Sequence, residues 1–428
     1  MAKNLQAGLR QSIKASRKAS LSGGNVFGSS PLDLRFALQK TLDSRVTFTR
    51  ASTGTFVGSD GLLQSATTDE ARFDHNPTTG ESLGLLVEEA RTNLVTWSQD
   101  LSQTDWGKNA STIVSSAIAS PIFGVNYQKI EASTANTTVG VTSVAVTAAT
   151  QQRAVSFFAR PLGNITRVLV VVQGADARIN VNLVDGTATT NATAAGSTVT
   201  VSGERFTVST PSLTNATDVR FFLKKTGETD TNTPTTIAIG EGLYLTGAQM
   251  EAGAFPTSYI PTTTATATRA ADVASISGAN FSSWYRQDEG TVFASALVPT
   301  VAPSTALQTI YAISDGSTDN RISAYKRANA DTSARLDVTA ATVGSAFINA
   351  GTFGLSNVIV SAVRVNDFAV SLNGLAPVAD TSGNVPSVNQ INLGTYIGAT
   401  SSLNGTIRRF TYWPTRLANT TLQAITQP

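Results

Sequence analysis

The stretch from Thr246 to Pro261, TGAQMEAGAFPTSYIP, constrains this chain more than any other. Ile237, Ile239, Leu243 and Leu245 recur at odd positions on the way into it, the period-2 pattern of a half-buried strand. Gly247 and Gly253 come next, then Pro256 and Pro261, then the run Thr262, Thr263, Thr264. Glycine and proline at that density end a strand and rule out a continuous helix. The pattern predicts a strand leaving one β domain, an ordered crossing anchored by Phe255 and Tyr259, and the start of another domain.

Composition agrees with several β bodies. At 428 residues the chain exceeds one ordinary core and fits about two to four domains. Charged residues are only 14%, against roughly 25% in a typical soluble domain, so neutral Thr, Ser, Asn and Gln must supply the polar surface. Abundant Thr and Val with 33 Gly and 14 Pro favour short strands joined by many turns. Zero Cys excludes disulfides and Cys-ligated metal. A single histidine, His75, excludes two-His metal sites and two-His acid–base pairs. No apolar run approaches the ~20 residues of a membrane span. The basic N-terminus runs into Gly and Ser rather than an apolar segment, so no signal peptide is read there.

Along the chain, residues 1–30 stand apart. Lys3, Arg10, Lys14, Arg17 and Lys18 occur with no acid before Asp33, and Leu5, Leu9 and Ile13 recur every four residues, as in a short amphipathic helix. Two readings stay open: a frayed, solvated tail, or an arm that orders on an acidic partner. Five cations without interleaved aromatics argue against nucleic acid, as does a net charge of only +2. In 31–94, PLDLRFA and VTFTRASTGTF read as strands, and GLLVEEARTNLV (84–95) as extended rather than helical. Residues 95–261 read as about eight short strands at sandwich spacing, with 167–173 apolar enough to be buried on both faces. In 262–428 further strands follow, Asn373-Gly374 reads as a hairpin turn, and Asn419 reads as the cap of a helix over 420–426.

The motifs FTRASTGTF…DG, GLLVEEARTNLV and the Thr246–Pro261 crossing resemble, as a set, a junction of phage and prophage virion proteins. There a carbohydrate-binding-like β-sandwich meets a concanavalin A/laminin G-like one. FAVSLNG, LNGTIRRFTYWP and RLANTTLQAIT resemble the last hairpin, final strand and closing helix of the latter, and Trp97 and Trp106 stand where the first strand of the former begins. The expected fold is therefore mainly β: tandem β-sandwich or jelly-roll domains with an N-terminal anchoring arm and a short C-terminal helix. Its expected parts are a basic arm for virion attachment (1–30), a small β module (31–94), a carbohydrate-binding-like jelly roll (95–261) and a concanavalin A/laminin G-like sandwich (262–428).

Candidate sites are few. Glycoside hydrolysis needs two carboxylates at set spacing; Glu88-Glu89 point to opposite faces of a strand and Asp288-Glu289 read as a solvated turn, so no catalytic residue is assigned. His75 lies among turn residues without a nucleophile elbow and reads as a surface side chain. Asp315 and Asp319 offer oxygen at close spacing for calcium, but the segment reads better as an Asx-stabilised turn, and no metal or cofactor is assigned. Sugar binding needs an exposed ring beside amides or carboxylates, with core packing as the competing use of every aromatic. Trp284-Tyr285 beside Arg286 is the leading exposed pair, with Tyr311 and Tyr325 as further glycan candidates; Trp413 belongs to a core or junction.

The resemblance implies a structural appendage of a tailed phage, a fibre, spike or head decoration on the particle exterior, made in the host cytoplasm. Its arm (Lys3, Arg10, Lys14, Arg17, Lys18) would hold other virion proteins: portal, capsid, tail or baseplate. Its sandwiches would bind host-surface glycans without catalysis and without contact with a membrane. A homo-oligomer, with a trimer preferred, would hide edge strands. Alternatives are an architectural cement protein without a ligand and a depolymerising tailspike; a secreted lectin fits less well.

Overall fold

The computed structural model describes residues 30–136, 138–231, 236–299, 307–327, 333–340 and 344–427; the N-terminal cations Lys3 to Lys18 lie outside them. The described chain is mainly β and builds two sandwiches. Among the described residues no helix is long and apolar enough to cross a membrane.

One sandwich is formed by residues between Gly107 and Ala252. Its first sheet orders the strands Thr198–Ser202, Arg205–Ala216, Ala149–Arg160, Gly242–Ala252, Asn126–Ala132 and Ser111–Ala119. Its second orders Ala188–Thr190, Ala177–Asn182, Ile165–Val172, Val219–Lys225, Gly140–Thr142 and Gly107–Asn109. Alternate residues of both sheets meet in one core: Val155, Phe157 and Ala159 from one side, Val168, Val170, Phe221 and Leu223 from the other. Trp106 is buried there beside Phe221, at 6.3 Å between ring centroids. The doubly buried strand is confirmed, since Leu169 and Val171 form a small cluster with Phe222 on its other face.

The other sandwich draws on both sides of that insert. Its eight-stranded sheet places Ser82–Val87 beside Gly405–Trp413, with Phe73–His75 on the outer edge of Ser82–Val87, and Gly405–Trp413 also pairs with Leu32–Leu34 and with Glu289–Leu297. Its seven-stranded sheet starts at Thr47–Thr49 against Val273–Ser277 and ends at Gly344–Thr352. The segment 31–94 is thus no separate module. It supplies strands to both sheets of the C-terminal sandwich, because only there can Leu32, Leu34, Phe48, Leu85 and Val87 find an apolar core. The jelly roll is an insertion within the other sandwich.

Local chemistry explains the elements. Asn373 and Gly374 have φ of 49° and 79°, the two left-handed positions of a primed hairpin turn, closed by Leu375 N–H on Leu372 C=O at 2.9 Å. The strand predicted over 31–37 stops at Leu34, because Phe36 opens a one-turn helix (Phe36–Gln39) that buries its ring. The helix Asn419–Thr426 forms, but Asn419 does not cap it: Ala418 occupies the cap position without a side-chain bond, and Leu422 and Ile425 hold the helix against Phe293, Val360 and Trp413.

Candidate functional site

The crossing that opened the sequence reading is the hinge of the molecule. Thr257 and Ser258 each give an amide and a hydroxyl to one carboxylate, Thr257 to Glu251 of the jelly roll and Ser258 to Glu88 of the outer sandwich. Glu88 also pairs with Arg72 (2.8 Å) and Arg269 (3.0 Å), and Asp272 pairs with Arg72 and with Arg50 (3.1 Å). Arg205 reaches from the jelly roll to the Thr257 carbonyl at 2.7 Å. Burial would raise the Glu88 carboxyl, but Arg269, Arg72 and Ser258 outweigh it and hold it down at about 2. Burial pushes Asp74 the other way, up to about 6, against the hydrogen bond from Val57 N–H and with the charge of Glu88 adding to the rise. The acids of this network are committed to arginines, hydroxyls and amides.

Beside the hinge lies an open groove. One wall is the hairpin of Gly54–Val57 and Leu63–Ala66; the other is a jelly-roll turn over 120–125. Leu63 N–H bonds to Pro121 C=O at 2.7 Å and Phe123 N–H to Leu63 C=O at 3.1 Å, stitching the walls together. The turn closes from Val125 N–H to Ile122 C=O at 3.0 Å with Gly124 at φ 74°. A Cβ there would meet nothing within 4 Å, so Gly124 is needed for conformation and not for space. The turn carries Phe123 into solvent at 70% exposure. The groove is about 620 Å³, with Gln64, Ser65 and Gln99 as polar lining and Ile122, Phe123 and Val125 as apolar lining. Its floor is Tyr259, 1% exposed, whose hydroxyl sits 2.6 Å from Ser98 Oγ and whose ring lies edge-on to Phe158 at 6.0 Å. Burial raises that phenol well above its ordinary value, so it stays neutral. Phe255 is buried as well, under the Arg91 guanidinium. Both aromatics of the crossing therefore act as the predicted anchors.

The residues expected to bind glycan are not brought together. Trp284 is 4% exposed in the outer-sandwich core, against Phe281 and Tyr412 at 4.9 and 5.0 Å. Tyr285 is half-buried and stacks on the same two rings. Arg286 is exposed but paired with Asp288 and Glu289. Tyr311 is fully buried with its hydroxyl on Ser361, and Tyr325 is 9% exposed and donates to Asp337 at 3.0 Å. The exposed aromatic pair read from Trp284-Tyr285 is thus corrected: its rings fill core space, as large strand-end aromatics do. His75 is corrected too. It is 5% exposed, with Nδ1 3.0 Å from Val57 C=O, because the hairpin folds over it. Asp315 accepts from Ser317 N–H at 2.8 Å and Asn320 Nδ2 at 2.8 Å, an Asx turn, while Asp319 is exposed beside it. Among the described residues no group of three or more His, Asp or Glu side chains is placed to hold a metal ion. Phe123, Gln64 and Gln99, which line the groove, are not among the residues expected from the sequence to bind glycan. The available signal was an aromatic between Ile122 and Gly124 in a turn, where a core role is sterically awkward.

No family model matches the chain, and no curated protein matches it in sequence. Among solved structures it is similar to the carbohydrate-binding module (CBM40) of the Ruminococcus gnavus IT-sialidase bound to α2,3-sialyllactose. The identity is 14%, the TM-score 0.30, and 35% of this chain and 88% of that one are covered. It is also similar to the NanB sialidase of Streptococcus pneumoniae, at 14% identity and TM-score 0.29, over 35% of this chain and 26% of that one. A SAP-like pentraxin of Limulus polyphemus follows at 12% identity and TM-score 0.24, over 32% and 70%.

Proposed function

We propose that this chain is a non-catalytic glycan-binding protein, an exterior appendage of a tailed-phage particle, whose groove at Phe123 takes host-surface carbohydrate. The groove carries the binding part of the reading. It offers a solvent-facing ring for the CH face of a sugar, with two amides and a hydroxyl beside it, which is the composition carbohydrate recognition requires. Among the described residues its lining holds no carboxylate, whereas glycoside hydrolysis needs two. The virion part rests on the sequence resemblance of the junction motifs, with Lys3, Arg10, Lys14, Arg17 and Lys18 as the arm that docks on other virion proteins. Trimeric assembly and many copies per particle turn weak single sites into firm attachment.

A glycan array probed with the intact protein and with Phe123→Ala tests the site. Loss of array hits by about tenfold or more, equal to 1.4 kcal/mol, supports it. Unchanged hits overturn it. Immunogold labelling of purified particles tests the location: label on the particle exterior supports an appendage, and unlabelled particles overturn it.

A further inference from the structure

The groove does not stop at the hairpin. A second, smaller cavity of about 60 Å³ shares Thr55, Ser65, Tyr259 and Pro261 with the first, so one track crosses the hairpin and reaches Thr268 on the far side. Thr268 is exposed on a strand paired with Arg91–Asn93, its hydroxyl 2.7 Å from Thr92 Oγ1, so its side chain stands at the solvent end of the track. The charge of the track is equally specific. Among the described residues that line it, the one ionic side chain is Arg269, 1% exposed and already bound to Glu88, Thr257 and Ser258. Among the described lining residues an acidic sugar set down in this track would find no free guanidinium or ammonium, and a desolvated carboxylate without such a partner is heavily penalised. Hydroxyls and acetamido groups, by contrast, match the amides of Gln64 and Gln99.

We infer that the track binds an uncharged, extended saccharide of more than one ring, running from Phe123 across the hairpin to Thr268, and rejects sialylated and uronic-acid glycans. The inference rests on the groove being the glycan site. Binding then comes from ring stacking and neutral hydrogen bonds, so it is insensitive to salt, unlike recognition by charge.

The test is calorimetry with the intact chain, preceded by an array that holds neutral hexose and N-acetylhexosamine oligomers of two to six units and their sialylated and glucuronylated counterparts. Sialyllactose is the acidic probe in solution. The expected result is hits confined to neutral oligomers, affinity that rises with chain length, and less than a twofold change between 0.05 and 0.5 M NaCl. Thr268→Trp, which fills the small cavity from an exposed position, is expected to remove the gain with length. Phe123-dependent binding of sialyllactose or a uronic glycan, or affinity that is flat with length, overturns the inference while leaving the groove as the site. Glycan binding that Phe123→Ala does not alter, or no binding at all, overturns both.

Discussion

Asp272→Asn is the sharpest test of how the returning pass is held to the outer sandwich. The Asp272 carboxylate, Arg50 and Arg72 side chains are all 0% exposed. The carboxylate accepts from Arg50 Nη1 at 3.1 Å, from Arg72 Nη2, and from Glu88 N–H at 2.9 Å. Neutralising it leaves two buried guanidiniums short of a counter-charge, and breaking a buried pair from one side costs about 3–5 kcal/mol. Two features argue for the lower end. Arg72 keeps Glu88 at 2.8 Å, and Arg50 keeps the carbonyls of Ser52, Glu70 and Thr67 at 2.9, 3.0 and 2.7 Å. The expected loss is therefore about 3 kcal/mol. Urea unfolding followed by tryptophan fluorescence measures it, since Trp284 and Trp413 report the outer sandwich and Trp97 and Trp106 the insert. Adding Arg50→Met to Asp272→Asn removes one of the two orphaned charges, so the double variant should be less destabilised than the sum of the singles. A loss below about 1 kcal/mol, or strict additivity, would refute the claim that this network is buried and mutually dependent.

Four further outcomes follow from the same geometry. Asp74 and Glu88 titrate in opposite senses: the raised folded pKa of Asp74 means stability is lost as pH climbs from 3.8 to about 6, and the lowered one of Glu88 means stability is lost as pH falls from 4.5 towards about 2. Asp74→Asn should flatten the upper limb and stabilise the protein at pH 7 by roughly 1–3 kcal/mol; scanning calorimetry across pH 3–8 that shows the wild-type slope in the variant counts against it. Gly247→Ala places a Cβ 2.7 Å from the Phe158 ring at φ +62°, so a thermal-shift loss equivalent to about 1–3 kcal/mol is expected. Trp284→Ala should cost about 3–5 kcal/mol by opening the outer core, with array hits unchanged at low temperature. Phe123→Ala should leave the unfolding free energy, followed by urea titration, within about 0.5 kcal/mol of wild type, because its ring is 70% exposed, while removing glycan binding.

What could be read from the sequence was whatever is written locally. The Asn373-Gly374 turn, the extended run from Gly84, the doubly buried strand at 167–173 and the Asx turn at Asp315 all follow from short-range chemistry, and each is present. The seam at Thr246–Pro261 was legible because glycine, proline and anchoring aromatics cluster there. Partners distant in sequence left no such trace. Leu32 pairs with Tyr412 and Thr47 with Ser275, so the alternation of 31–94 identified strands but not the sheet they join. Exposure was also out of reach wherever it depends on the other body. His75 sits among turn residues yet is covered by the hairpin, and Trp284 follows a one-turn helix whose face toward Tyr412 no periodicity announces. Gln64 and Gln99 are ordinary polar residues until the fold sets them on two sides of one groove.

The insertion and the ionic hinge answer the same mechanical problem. The chain passes twice between the bodies, outward near 88–98 and back through 252–272; Glu88 and Asp272 lie on those passes, and Glu251 lies near the end of the jelly-roll strand that leads into the second. An apolar seam would permit sliding, because burial of area has no preferred direction. Paired guanidiniums and carboxylates at 0–7% exposure fix the returning pass to the outer sandwich, since any shift there leaves a buried charge unpaired, and Thr257 on Glu251 and Arg205 carries the lock on to the jelly roll. The groove depends on that rigidity. Its walls are a two-stranded hairpin outside both outer-sandwich sheets and the Phe123 turn of the insert, stitched to each other at Leu63, and the hairpin is also tied to the hinge. Thr55 ties the two directly, with its hydroxyl donating to the Tyr259 carbonyl and its own carbonyl accepting from Arg72 at 2.8 Å. A substitution in the buried network should therefore reach the binding site without touching it, through the spacing between Phe123 and Gln64.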